Sequence, residues 1–271
     1  MKLKLCSLII ITLLCLSCKD KAQSTAVTNS ISKVENKGKA LIEKMVQKVG
    51  DYNMLHKRND VVYTYTYKTP DGRMDRSTEK YLFDGELSYG AYEIHERTFP
   101  ELDGQIDQGY DGSEFWLKHN GDVLNDSTRL KRVAFNRPTN FYWFAMFQKL
   151  LDPGLHYEYL GDTSINAANY DIVKVSFKAN DEKPTDTYQL YINKSTHLVD
   201  QFLFTVVDFG VVEEPYLMQV SYETVDGMVI PAKRQYKKST WEAEITDEPW
   251  IYVTWTDIKF NNGLSKVDFK K

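Results

Sequence analysis

Side chains able to do chemistry are few in this sequence, and the most reactive ones sit together. Its three cysteines, Cys6, Cys15 and Cys18, all fall within "CSLIIITLLCLSC". A thiol can be a nucleophile, a metal ligand, half of a disulfide or a point of attachment, and residues 19–271 have none of these options open through cysteine. His56, His95, His119, His156 and His197 are scattered without a ligand spacing such as His-x-x-x-His, and no G-x-S-x-G elbow, phosphate loop or zinc signature occurs. The run "DGQIDQGYDGSE" puts Asp103, Asp107, Asp111 and Glu114 at positions 1, 5, 9 and 12 of a calcium loop. Its glycine, however, stands at position 7 instead of 6, and Gln105 occupies position 3. Hairpin turns account for such Asp-Gly pairs, so no metal, no cofactor and no catalytic residue is expected. Arg97, Arg132 and Arg137 could meet a headgroup or carboxylate at a cavity mouth. Solvated surface arginine is the simpler expectation for them.

The start of the chain carries the clearest chemistry. Lys2 and Lys4 precede an apolar run from Leu5 to Leu16, about a dozen residues. That length suits the core of a signal peptide and falls short of the roughly 20 residues of a membrane-spanning helix. Ser17 followed by Cys18 resembles the lipobox of bacterial lipoproteins, with Cys15 where the motif usually has leucine. The resemblance implies that residues 1–17 are removed as a signal peptide and that Cys18 carries the lipid anchor. Lys19 stands where an aspartate would retain a lipoprotein at the inner membrane, so the resemblance implies the outer membrane, facing the periplasm. "CKDK" also partly resembles the tag of some surface lipoproteins, which leaves cell-surface exposure as the alternative. Residues 18–30, small and polar, read as a lipidated flexible tether.

The formal net charge is −4, and loss of Lys2 and Lys4 takes it to −6, so nucleic acid is not an expected partner. Eighteen tyrosines, 13 phenylalanines and 5 tryptophans suit strands and half-wet cavities, because they join apolar area to a polar tip.

The elements follow from periodicity. Ile31, Val34, Leu41, Ile42, Met45, Val46 and Val49 recur every three or four residues and predict an amphipathic helix, capped at Ser30 or Ser32 and ended by Gly50. "VVYTYTYKTPDG" then alternates with period two, placing Val61, Tyr63, Tyr65 and Tyr67 on one face. About ten such runs follow, separated by turns at Asp84-Gly85, Asp111-Gly112, Asn120-Gly121, Asn193-Lys194 and Asp226-Gly227. They predict a mainly β (α+β) fold, a large curved antiparallel sheet formed by one domain over residues 31–271. "STRLKRVAFNRPTNFYWFAMFQKLLDPG" has helical spacing and predicts an insert across the concave face, broken at Pro138, capped again at Asn140 and stopped at Pro153-Gly154.

With the lipoprotein signal, this order of elements resembles the LolA/LolB-type half-barrel superfamily. "YDGSEFWL", "LYINKSTHLVDQFLF" and "TVDGMVIPAKRQY" are similar to strand segments of that superfamily. The resemblance extends to outer-membrane lipoproteins of the Bacteroidetes type. It implies an apolar concave face that is plugged by helices and holds acyl chains.

Two regions are candidates for such a cavity. Phe141, Tyr142, Trp143, Phe144, Met146 and Phe147 surround the insert, which is then either a lid or plain core. Tyr63, Tyr65 and Tyr67 would face it, together with Phe202 and Phe204 from a strand that is apolar on both faces. The expected function is that of a non-catalytic, lipid-anchored outer-membrane lipoprotein binding a lipid, an acyl chain or a lipoprotein. A surface module that binds glycan or protein around a solid core is the alternative.

Overall fold

The computed structural model of the chain describes residues 36–178 and 185–271. The expected signal peptide (1–17), Cys18, the tether (18–30), and Ser30, Ile31, Ser32 and Val34 lie outside the described residues.

Helix α1 (Lys37–Val49) is capped by Asn36, whose side chain accepts from the Lys39 amide at 3.0 Å. The cap is therefore Asn36 and not Ser30 or Ser32; asparagine serves this role as well as serine. Ile42, Met45, Val46 and Val49 form its buried stripe. Asp51 caps a short helix, α2 (Tyr52–His56), in the same way.

Six strands come next: β1 (Asp60–Lys68), β2 (Met74–Leu82), β3 (Leu87–His95), β4 (Ile106–Tyr110), β5 (Phe115–His119) and β6 (Asp122–Val123). Helix α3 (Ser127–Lys149) separates them from β7 (Leu155–Ile165), β8 (Ala168–Phe177), β9 (Thr187–Asn193), β10 (Val199–Val206), β11 (Val211–Val225), β12 (Met228–Lys238) and β13 (Ile251–Phe260). All belong to one antiparallel sheet in the order 6-5-4-3-2-1-13-12-11-10-9-8-7. The chain enters at the middle with β1, meanders out to the β6 edge, and crosses by α3 to the far edge at β7. It then meanders back until β13 pairs with β1. Thirteen strands exceed the roughly ten beyond which a twisted open sheet curls, and the two edges do not pair with each other. This is the mainly β half-barrel predicted from the pattern.

The turns obey the expected chemistry. Asp226 and Gly227, at φ 49° and 79°, link the paired residues Val225 and Met228. Asn120 and Gly121, at 50° and 87°, do the same between His119 and Asp122. Positive φ at both central residues matches the strand twist, which is why Asn-Gly and Asp-Gly occupy them.

Helix α3 differs from its expected form. It is one continuous helix through Pro138, not two pieces with a fresh cap at Asn140, and it ends at Lys149, ahead of Pro153-Gly154. Asp126 caps it, accepting from the Arg129 amide at 2.8 Å. A proline inside a helix costs about 3 kcal/mol. Burial of Val133 and Arg137 before it and of Phe141, Phe144 and Ala145 after it offsets that cost by holding both halves against the sheet. The topology also demands the span, since 23 residues rising about 1.5 Å each must link opposite edges.

Strand β10 is covered on both faces, as expected. Phe202 and Phe204 pack toward α1 and α3. Leu203, with Tyr191 and Leu217, is covered on the other face by Trp241, Ala243 and Trp250 from the β12–β13 connection.

Candidate ligand cavity

Helix α3 divides the concave space in two. Its C-terminal half is solid core. Phe144 stacks on Tyr63 at 5.2 Å and meets Trp255 at 5.3 Å; Phe141 packs on Tyr81 at 5.2 Å; Phe147 packs on Phe202 at 6.0 Å. Met146 is buried among α1 and β8–β10 side chains, and Tyr142 lies beside Tyr188 and Phe177. The preceding stretch from Lys131 to Asn140, with Trp143, instead covers a cavity of about 650 Å³ against β1 and β10–β13. Of the eleven residues singled out from the sequence, Tyr63, Tyr65, Tyr67, Trp143 and Phe204 line this cavity. Phe141, Tyr142, Phe144, Met146, Phe147 and Phe202 fill the core beside it.

The strands present the wall by simple alternation. Tyr63, Tyr65 and Tyr67 project from β1, Val253 and Trp255 from β13, Arg234 and Tyr236 from β12, and Tyr216 and Met218 from β11. The phenol oxygens of Tyr67 and Tyr236 are hydrogen-bonded to each other. Burial pushes both phenols above their ordinary range, so they remain neutral.

Four cations and two acids also line the cavity: Arg97, Lys131, Arg132 and Arg234, against Asp75 and Asp208. Asp75 is buried and already engaged. It accepts from the Arg97 amide and the Thr98 hydroxyl, both at 2.8 Å, and from the Arg97 guanidinium at 3.3 Å. Arg97 in turn lies over the Tyr67 ring at 3.5 Å. Arg137, read from the sequence as a mouth or surface residue, is neither. It is fully buried on the cavity's flank, donating to Glu79 at 2.9 Å, with Ser77, Tyr81 and Tyr63 completing the network. Burial alone would lower its pKa, but the Glu79 charge, the nearby Tyr92 and Tyr81 and the hydrogen bond to Glu79 together more than offset that and raise it. Gly90 makes room for this pair: a Cβ there would stand 2.6 Å from the Arg137 Nη1 and 2.7 Å from a Glu79 oxygen.

Reasoning from the sequence missed Arg234. The signal was present, because Ile230, Ala232, Arg234 and Tyr236 share one phase of "MVIPAKRQYKK". Three lysines in that segment make it read as a solvated strand. Missed too was the mouth, where Phe209, 68% exposed, meets Phe135 of α3 edge-on at 4.9 Å. A more open groove of about 640 Å³ runs along Ala91–Glu96 and Pro100–Gln105. Within the calcium-like run, Asp107 accepts from Tyr89, and Asp111 accepts from the Ser113 and Glu114 amides. No trio of metal-binding side chains gathers among the described residues.

No family model and no curated protein matches the chain in sequence. Solved structures do match it in three dimensions. A DUF1329 family protein from Desulfovibrio piger has a TM-score of 0.51 at 14% identity, covering 87% of this chain and 98% of its own. An outer membrane lipoprotein-sorting protein domain from Vibrio parahaemolyticus also reaches 0.51, at 12% identity, covering 86% and 96%. The fold these two share with the chain is the large open antiparallel sheet crossed by helices, a half-barrel. A LolA superfamily protein from Nitrosomonas europaea is similar at TM-score 0.49 and 14% identity, over 86% and 97% of the two chains. At such identities the likeness establishes the half-barrel and not its cargo, because function resides in the site that a fold carries. The Bacteroidetes kinship draws no support from these organisms.

Proposed function

We propose that this half-barrel is a non-catalytic, lipid-anchored lipoprotein of the outer membrane that holds the acyl part of a lipid or lipoprotein between α3 and the sheet. The observation that carries the reading is the cavity of about 650 Å³, a size within the range of small-molecule sites, walled by tyrosine and tryptophan. In this reading residues 1–17 are a discarded signal, Cys18 bears the anchor, residues 18–30 are the tether, and the single domain faces the periplasm. Among the described residues no helix is long and apolar enough to cross a membrane. Catalysis would need convergent, activated ionisable groups. The lining arginines and the neutral phenols offer charge and hydrogen bonds, and the Thr98 hydroxyl shares the carboxylate of Asp75 with the Arg97 guanidinium.

Native mass spectrometry of protein extracted gently from membranes tests the reading. A population heavier by one acyl-chain ligand is the expected result. A chain that is always ligand-free, and that takes up no fatty acyl compound when offered one, would overturn it. Peptide mass spectrometry of the membrane-extracted protein is expected to find a mature N-terminus at Cys18 carrying acyl mass, and an N-terminus that is unacylated or lies elsewhere would remove the anchor from the reading.

A further inference from the structure

Arg234 is 93% buried and faces the cavity, yet no carboxylate and no hydrogen-bond acceptor meets its guanidinium among the described residues. Its Nε has no partner at all. What surrounds it is aromatic, with the Trp255 ring 3.9 Å away and the Trp143 ring 5.7 Å away. These faces orient a guanidinium and recover part of its lost hydration, but they do not neutralise it. The Trp255 Nε1 is a second buried donor without an acceptor, and it belongs to the same wall. Asp75 is committed to Arg97 and Thr98, and Glu79 to Arg137. A buried charge left unpaired is costly, and a planar fork of donors matches a carboxylate or phosphate with two parallel hydrogen bonds.

We propose that Arg234 is the anion anchor of this cavity, so that the ligand is an acidic amphiphile lying head-inward, its carboxylate or phosphate on Arg234 and Trp255 and its chain directed to the Phe135–Phe209 mouth. This rests on the acyl-binding reading above and narrows it to anionic ligands. Burial lowers the Arg234 pKa to about 10, so the side chain keeps its charge at neutral pH. The surplus of cations over acids on the lining points the same way, in a chain whose own net charge is −4.

The test compares palmitate, palmitoyl-lysophosphatidate and the uncharged methyl palmitate on the delipidated full chain, read by calorimetry and by quenching of tryptophan fluorescence. At least one acid is expected to bind about tenfold or more tightly than the ester, and the tighter of the two names the headgroup. Arg234→Met is expected to abolish that preference while leaving the affinity for the ester within about threefold. Equal binding of acids and ester by the unaltered chain would overturn the anchor and leave the cavity reading standing. Failure of all three to bind would overturn both. Should Arg234→Met not fold, the acid-to-ester ratio of the unaltered chain and of Arg234→Lys decides. Lysine keeps the charge and loses the fork, so the ratio should shrink; an unchanged ratio would overturn a two-pronged contact.

Discussion

At the scale of single residues, the molecule uses buried arginine in two opposite ways, a few side chains apart. Arg137 is fully buried with a matching partner, Glu79, so its charge is balanced inside the fold. Arg234 is nearly as buried and has the rings of Trp143 and Trp255 beside it in place of a carboxylate. The two should therefore answer mutation differently. Arg137→Met strands the Glu79 carboxylate in the core and is expected to lower unfolding stability by about 3–5 kcal/mol in urea titrations. Adding Glu79→Leu should restore most of that loss, because a buried ion pair gains little over well-packed apolar side chains. A double variant as unstable as the single one would mean that the pair itself holds the sheet in place. Gly90→Ala tests the same pair from the backbone side. Its Cβ has no room beside Arg137 Nη1, so destabilisation is expected although φ at Gly90 is not left-handed.

At the scale of elements, α3 depends on its two ends as well as its buried middle. Lys149, in its last turn, donates to Glu86 of the β2–β3 turn at 2.6 Å, and Tyr52 of α2 donates to the same carboxylate at 2.7 Å. Burial alone would raise the Glu86 pKa, but the hydrogen bonds from Lys149 and Tyr52 and the lysine charge bring it below its ordinary 4.5. A folded-state pKa below the unfolded one means that the stabilisation is complete above about pH 4.5 and fades as pH falls through the folded value. Glu86→Gln is expected to cost roughly 0.2–1 kcal/mol near neutral pH, since the pair is partly exposed. The gap from the unaltered protein should close as the medium is acidified below pH 4.5; a gap independent of pH would mean that the carboxylate charge is irrelevant. The strands and hairpins were legible in the sequence because a period of two and left-handed turn residues are local facts. The tyrosine stripe of β1 was legible for that reason. The continuity of α3 was not, because Pro138 is a local stop signal and the reasons to continue are remote. The helix has to join β6 to β7, and side chains on both sides of the proline find partners on strands far away in sequence.

At the scale of the whole molecule, one crossover helix serves two purposes, and the sequence showed only the first. The aromatic cluster after Pro138, readable from the sequence as a lid or as plain core, is largely core, while the quieter segment "KRVAFNRPTN" roofs the cavity. Hydrophobic density in a sequence marks burial; a space left unfilled leaves no such mark. The division predicts that stability and binding separate along α3. Phe144→Ala in the solid half should cost about 3–5 kcal/mol of unfolding stability, because it removes a large side chain from close packing. Thr139→Trp in the roofing half places an indole where the cavity now lies, so it should leave stability nearly unchanged or raised. Its effect should appear in linkage. A ligand bound only by the folded chain adds about 2.7 kcal/mol of stability when present at 100 times its Kd. The unaltered protein is expected to show that rise in urea unfolding with a fatty acyl ligand, Phe144→Ala to keep most of it from a lower base, and Thr139→Trp to lose it. If Thr139→Trp still gains stability from the ligand, the acyl chain lies elsewhere than under the first half of α3.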